Sequence, residues 1–319
     1  MAALVAGIDL VGGNGSDVWK YNPRMLTRRA ALLSPLALAA VRTVAFAQGG
    51  MTLAMHQNTS SRAGYRGSLE GWARAGIRHV ELNAGLVDEF LETDTMAAAR
   101  RVLTDNGLTP VSGSVGGGGL WEPNPDHAAA LETLRRRCEM FAELGLEKVY
   151  GSTGANGTFT ETDYDAAVDN FRQAGEVASE FDLQMMVEFI RNSAFISTLT
   201  TTLRLTRAAG NVQPMLDFYH FLTGLSQLGD LDLIRPGEIA HVHFQDVPDV
   251  PRELLTGQTR AIPGTGIAPL THMLRTLRDK GYAGPLSVEL FLYQDDDPYE
   301  LAREIRESAE AVMSEAGVL

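Results

Sequence analysis

Cysteine is nearly absent from this 319-residue sequence; Cys138 is the only one. A lone thiol excludes an intramolecular disulfide and any metal site built on several cysteines. Cys138 falls in the helical spacing Leu134, Cys138, Phe141, which reads as core filling rather than a reactive thiol. Positive charge is also scarce. Lys and Arg number 27 against 40 Asp and Glu, a net charge of −13 that disfavours nonspecific attraction to nucleic acid or an anionic membrane. What is present is ordinary for a soluble globular chain: 45% apolar and 21% charged residues. The length allows one large domain or two ordinary ones.

The first part of the chain reads as an export signal. Thr27-Arg28-Arg29 precedes the apolar run Ala30–Val41, and Ala45-Phe46-Ala47 follows as a small-x-small cleavage site. The apolar run is too short to span a bilayer comfortably. The paired arginines resemble a twin-arginine signal over residues 25–47, with Met25 as the start, cleavage after Ala47 and a periplasmic or secreted product. Residues 1–24 then read as a mis-called extension. No stable membrane anchor is expected after cleavage.

Residues 48–319 alternate short β-type runs with amphipathic helical stretches. Eight strands and eight helices in about 270 residues predict a single-domain (β/α)8 TIM barrel rather than a doubly wound sheet. The strands are mostly apolar on both faces, as parallel strands between a barrel interior and its helices should be. Asp126 is expected to cap the helix that runs to Leu144, and Gly145 to end it.

Four of these apolar runs end on a polar group: Met186-Val187-Glu188, Met215-Leu216-Asp217, His241-Val242-His243 and Ser287-Val288-Glu289. As strands 5 to 8 of a barrel they converge on its C-terminal rim, where such folds carry their sites. An acid at the end of a buried strand is costly unless it is paired, hydrogen-bonded or bound to metal. Three carboxylates and an imidazole predict a divalent metal held by Glu188, Asp217, His243 and Glu289. Mn²⁺ is the first expectation; Mg²⁺, Co²⁺, Zn²⁺ and Fe²⁺ are compatible with the same donors. Glu188 and Glu289 come from different sides of the rim and are the expected proton carriers.

Glu188, Asp217-x-x-His220, His243, Pro263-Gly264-Thr265-Gly266 and Glu289 together resemble the sugar-phosphate isomerase/epimerase superfamily of xylose isomerase-like barrels. The run from His243 to Gly266 is similar to inosose isomerase-type members. The resemblance covers about residues 51–315. It implies a metal on the four residues above, acid–base roles for both glutamates, and substrate contacts from His220 and Arg260. Two departures stand out. Ketose epimerases often carry a second Glu six residues after the strand-5 Glu, whereas position 194 is Ala. Gly116–Gly119 lacks the Lys and Ser/Thr of a phosphate cradle and reads as a rim or lid, so an uncharged sugar, keto-sugar or cyclitol is expected.

Further expectations concern the surroundings. His56, Glu81 and Trp121 are candidates to line the carbohydrate site. Asp246 is expected to orient His243 or Arg260 from behind, and His241 to lie deeper on the same strand face. The reading is a metal-dependent isomerase or epimerase, with a lyase or dehydratase as the second outcome of the same proton abstraction. A noncatalytic periplasmic sugar-binding barrel is the rival from another class. A DNA-repair endonuclease is opposed by the acidic charge, the export signal and too few histidines. A homo-oligomer is left open.

Overall fold

The computed structural model describes residues 50–319. The expected signal at 25–47 and the extension at 1–24 lie outside the described residues. Eight parallel strands close a barrel in sequence order. They are β1 (Thr52–His56), β2 (His79–Asn83), β3 (Thr109–Ser114), β4 (Lys148–Ser152), β5 (Gln184–Glu188), β6 (Val212–Asp217), β7 (His241–His243) and β8 (Pro285–Val288). Closure runs from Thr52 opposite Pro285 to Met55 opposite Val288. Around the barrel lie α1 (Gly64–Arg74), α2 (Ala84–Leu91), α3 (Met96–Asp105), α4 (His127–Glu143), α5 (Glu161–Ser179), α6 (Leu199–Ala209), α7 (Phe218–Thr223), α8 (Leu270–Asp279) and α9 (Pro298–Ala316). Among the described residues no helix is long and apolar enough to cross a membrane.

The alternation of strand and helix is as expected, but the connections hold more structure. α2, α7 and a 3-10 turn at Gln57–Ala63 all begin at strand ends, where a polar side chain caps them. Asn83 accepts from the Leu86 N–H, Asp217 from the His220 N–H and His56 from the Asn58 N–H. Helical pattern was hard to see in such short elements because each makes only one or two turns. α6 follows the ordinary rules: Thr198 caps its start, and Gly210 ends it in the left-handed region at φ 85°. Asp126 departs from expectation, making no side-chain capping bond at α4.

The core lies between strands and helices. Leu134, Cys138 and Phe141 of α4 are buried there, and burial pushes the Cys138 thiol up to about 12, consistent with a packing role. Inside the barrel the strand pattern separates two levels. Tyr150, Met186, Met215 and Ala240 form a small buried apolar cluster of their own. Met186 and Met215 each precede a rim acid by two residues, so they lie beneath it on the same strand face.

Candidate active site

Register explains why the four sequence-predicted groups meet. Asp217 is opposite His243, Glu188 is opposite Met215, and Glu289 follows the last paired residues of β8. One donor atom from each of Glu188, Asp217, His243 and Glu289 lies within 4.8 Å of all the others. All four are buried: Asp217 and His243 are 0% exposed, and Glu188 and Glu289 4%. His243 Nδ1 sits 2.9 Å from Glu188 Oε1 and 3.4 Å from both Asp217 Oδ2 and Glu289 Oε2.

Arg260 joins this cluster from the loop after β7. Its guanidinium pairs with Glu289, lies 3.2 Å from Asp217 Oδ2 and donates to His220 Nε2 at 3.0 Å. Phe291 stacks on the guanidinium at 4.9 Å and Tyr219 at 5.6 Å. Burial lowers His220 to about 4, so its ring is neutral at pH 7. With Nε2 accepting from Arg260, the proton belongs on Nδ1, which has no partner among the described residues.

The electrostatics follow from crowding. Burial pushes Glu188 up to about 7, against the pull of His243. Burial pushes Glu289 upward too, but Arg260, His243 and His56 outweigh it and hold it down to about 2. Burial opposes a charge on His243, yet Glu81, Glu289 and Glu188 raise it well above the ordinary imidazole value. The chain thus balances its rim carboxylates with an arginine and an imidazolium.

Glu81 departs from the sequence reading. It is fully buried and faces imidazoles rather than open space. Its carboxylate lies 2.7 Å from His241 Nε2 and 3.1 Å from His243 Nε2, with His56 Nε2 at 3.7 Å. These rings hold it well below the usual carboxylate range despite burial. Arg78, three residues before Glu81, donates to the Ala73 and Ile77 carbonyls. His241 is therefore the neighbour of Glu81, and both lie behind His243.

His56 is likewise not free for a substrate. Its Nδ1 accepts from the Asn58 N–H at 2.9 Å, and its Nε2 meets Tyr150 Oη at 3.1 Å. Trp121 lies in the core at 0% exposure, against Phe171, with its indole N–H donating to the Ser152 carbonyl. It packs tilted against a protein ring and does not face a rim opening. Gly117 packs so tightly on β4 that a Cβ would fall 1.7 Å from the Ser152 oxygen, so this part of the glycine loop is seated, not free.

Asp246 touches neither His243 nor Arg260 through its carboxylate. It accepts from four backbone N–H groups: Val247 at 2.8 Å, Gly264 at 3.0 Å, Gly266 at 2.9 Å and Ala268 at 2.9 Å. It fastens the Pro263–Gly266 turn, where a Cβ on Gly266 would fall 2.2 Å from the Val247 oxygen. Sequence reasoning missed Asn58, which donates to Glu289 Oε1 at 2.8 Å and accepts from Asn83 at 2.9 Å. Nothing in the pattern around Asn58 signalled this, because it lies in the short turn after β1.

The donor set suits a divalent cation. Three buried carboxylates and an imidazole nitrogen converge, and Asp217 Oδ2 has no hydrogen-bond partner although Arg260 and His243 nitrogens are near it.

The comparisons with known proteins bear on the fold and the family. Residues 70–314 match the model of the xylose isomerase-like TIM barrel family. An inosose isomerase of Halalkalibacterium halodurans is 32% identical over 129 residues, 40% of this chain and 46% of that protein. A 3-dehydroshikimate dehydratase of Pseudomonas putida is 29% identical over 168 residues, 50% of this chain and 26% of that protein. The matches thus span less than half of either relative's length. Among solved structures, the IolI protein with a bound zinc atom superposes with a TM-score of 0.73 at 19% identity, over 83% of this chain and 98% of that one. A closed eight-stranded barrel and a match over most of its length place this chain in the xylose isomerase-like TIM barrel family.

Proposed function

We propose that the protein is a divalent-metal-dependent isomerase or epimerase of a sugar, keto-sugar or cyclitol. The observation that carries this reading is the convergence of Glu188, Asp217, His243 and Glu289 within 4.8 Å at the strand ends. Similarity to inosose isomerases, and the zinc bound in IolI, support it. Glu188, Asp217, His243 and Glu289 would hold the metal. A divalent cation there supplies Lewis acidity that stabilises negative charge on substrate oxygens.

The chain's own groups do the rest. Glu188 ends β5 and Glu289 follows β8, so a substrate carbon between them meets a carboxylate from each side. One carboxylate takes the proton from the carbon beside the keto group. The other returns a proton to the opposite face. His220 offers its Nδ1–H to a substrate oxygen, and Arg260 holds both His220 and Glu289 in place.

The test is proton exchange. The metal-loaded protein is incubated with keto-sugars and inososes in deuterated water and followed by NMR. Wild type is expected to wash deuterium into the carbon beside the ketone; Glu188→Gln and Glu289→Gln are expected to lose that exchange while staying folded. Persistent exchange in both variants would sink the two-carboxylate mechanism.

A dehydratase is the second reading, favoured by the similarity to 3-dehydroshikimate dehydratase. It uses the same proton abstraction and ends in loss of water from the next carbon. Formation of an unsaturated ketone in the same NMR experiment would decide for it. Export through Arg28-Arg29 is part of the proposal, supported by the apolar run that follows. Cell fractionation of wild type and an Arg28→Lys/Arg29→Lys variant tests it, and equal distribution of the two would remove it.

A further inference from the structure

Gln245 is fully buried, and neither amide atom has a hydrogen-bond partner among the described residues. Buried amides nearly always find partners, so this exception needs a cause. Its position supplies one. β7 runs toward the rim through His241 and His243, whose rings meet Glu81 inside the barrel. The extended pairing continues beyond His243, because the Phe244 N–H donates to the Ser287 carbonyl at 2.8 Å. Side chains alternate along such a segment. Phe244 packs outward against Phe218 in the main core, and Asp246 turns to the Pro263–Gly266 loop. Gln245, between them, therefore shares the inward face of His241 and His243. It stands one step nearer the mouth than His243.

The neighbouring site residues carry the same signature. Among the described residues His220 Nδ1 and Arg260 Nε are also buried without hydrogen-bond partners, whereas Asp217 Oδ2 is ion-paired with Arg260. Buried polar atoms without partners thus occur on α7 and in the segment that follows β7, both at the C-terminal ends of strands. An amide is suited to a hydroxyl, which both gives and takes a hydrogen bond. Its Nε2 can donate to one hydroxyl oxygen while Oε1 accepts from the next. A carboxylate or phosphate only accepts, so it could take the Nε2 hydrogens but would leave Oε1 unmet.

We infer that Gln245 is a specificity residue that holds two neighbouring hydroxyls of the substrate. This rests on the reading of the rim as a keto-sugar or cyclitol site. It narrows the substrate to one that is uncharged and hydroxylated where it meets β7. A polyhydroxylated cyclic ketone fits that description; a ring bearing a carboxylate at that position does not.

The experiment uses Gln245→Met, which keeps length and removes the amide, and Gln245→Glu, which keeps the shape and the acceptors but removes the N–H donors. The probes are 2-keto-myo-inositol, D-fructose and 3-dehydroshikimate, with binding to metal-loaded protein read by calorimetry. Metal content and melting temperature are measured without probe. Wild type is expected to bind a polyhydroxy ketone in preference to 3-dehydroshikimate. Both variants are expected to weaken that binding about tenfold or more, with metal content unchanged. Gln245→Met is expected to melt no lower than wild type, because it removes an unpartnered buried amide. A merely structural glutamine would show the reverse, a lower melting temperature with unchanged binding, and that result overturns the inference. Preference of wild type for 3-dehydroshikimate overturns the substrate class. Failure of wild type to bind any probe overturns the reading of the site along with it, whereas equal binding by wild type and Gln245→Met removes only the role of Gln245.

Discussion

Glu81 Oε1 lies 3.1 Å from Nε2 of His243, while its other oxygen lies 2.7 Å from Nε2 of His241. One buried carboxylate therefore fixes the orientation of the imidazole whose Nδ1 faces the three rim acids. A carboxylate at Nε2 keeps a proton there and leaves the Nδ1 lone pair for a metal. Glu81→Gln can instead turn an amide N–H toward Nε2 and favour the other tautomer. Metal affinity is expected to fall about 10- to 100-fold, with the four donor residues untouched. Competition against a chromophoric chelator measures this. Wild-type affinity in the variant would show that Glu81 only fills space.

The same geometry sets a pH dependence. Burial opposes the charge on His243, but its carboxylate neighbours outweigh burial and raise it well above the ordinary value. A raised folded value means that the imidazolium stabilises the metal-free fold below the unfolded value of about 6.5, and that this contribution is lost as pH rises through the folded value. A metal needs the neutral ring, so it competes with that proton. Affinity is expected to rise between about pH 6 and 8, by up to about tenfold per unit if one proton leaves. Calorimetry in buffers of different ionisation enthalpy counts the protons released. Release of none, with flat affinity, would contradict the assignment of His243.

Arg260 gives a prediction that separates metal-free from metal-loaded protein. Its guanidinium is buried between Asp217 and Glu289 and is the arginine that balances them. Arg260→Ala leaves those charges to the His243 imidazolium alone, and truncating one partner of a buried pair costs about 3–5 kcal/mol. The metal-free variant is expected to lose about that much in urea unfolding. Added divalent metal is expected to restore more stability to the variant than to wild type. Equal gains in both proteins would show that Arg260 and the metal do not serve the same charges.

The degree to which this site could be read from the sequence differs residue by residue. Glu188, Asp217, His243 and Glu289 were legible as a set because each ends an apolar run, and parallel strands bring such ends to one rim. Glu81 lies in the middle of β2, and its partners are the three imidazoles His56, His241 and His243. No one-dimensional pattern distinguishes an acid that faces a sugar from one that faces histidines 25, 160 and 162 positions away. The bonds of Asp246 were not legible, since its partners are backbone N–H groups, which the sequence does not label. Trp121 follows a glycine loop that looked open. The close seat of Gly117 on Ser152 brings the indole into the core instead. Gln245 carries no sequence signal beyond its spacing from His243; only its missing partners mark it.

Asp246 yields the last prediction. Its two oxygens accept four backbone N–H bonds and fix the turn through Gly264 and Gly266 at the end of the segment that carries Arg260. Bonds to an ionised acceptor are worth about 1.5–3 kcal/mol each, but they are not additive when one carboxylate serves all four. Asp246→Ala is therefore expected to cost about 3 kcal/mol in denaturant unfolding. Loosening this turn also frees the loop that presents Arg260 to His220 and Glu289. Proton exchange into a keto-sugar is expected to slow in Asp246→Ala while metal content stays at the wild-type level, because no donor atom of the cluster belongs to this loop. Loss of metal together with loss of exchange would mean that the loop supports the metal cluster itself, and not only the arginine beside it.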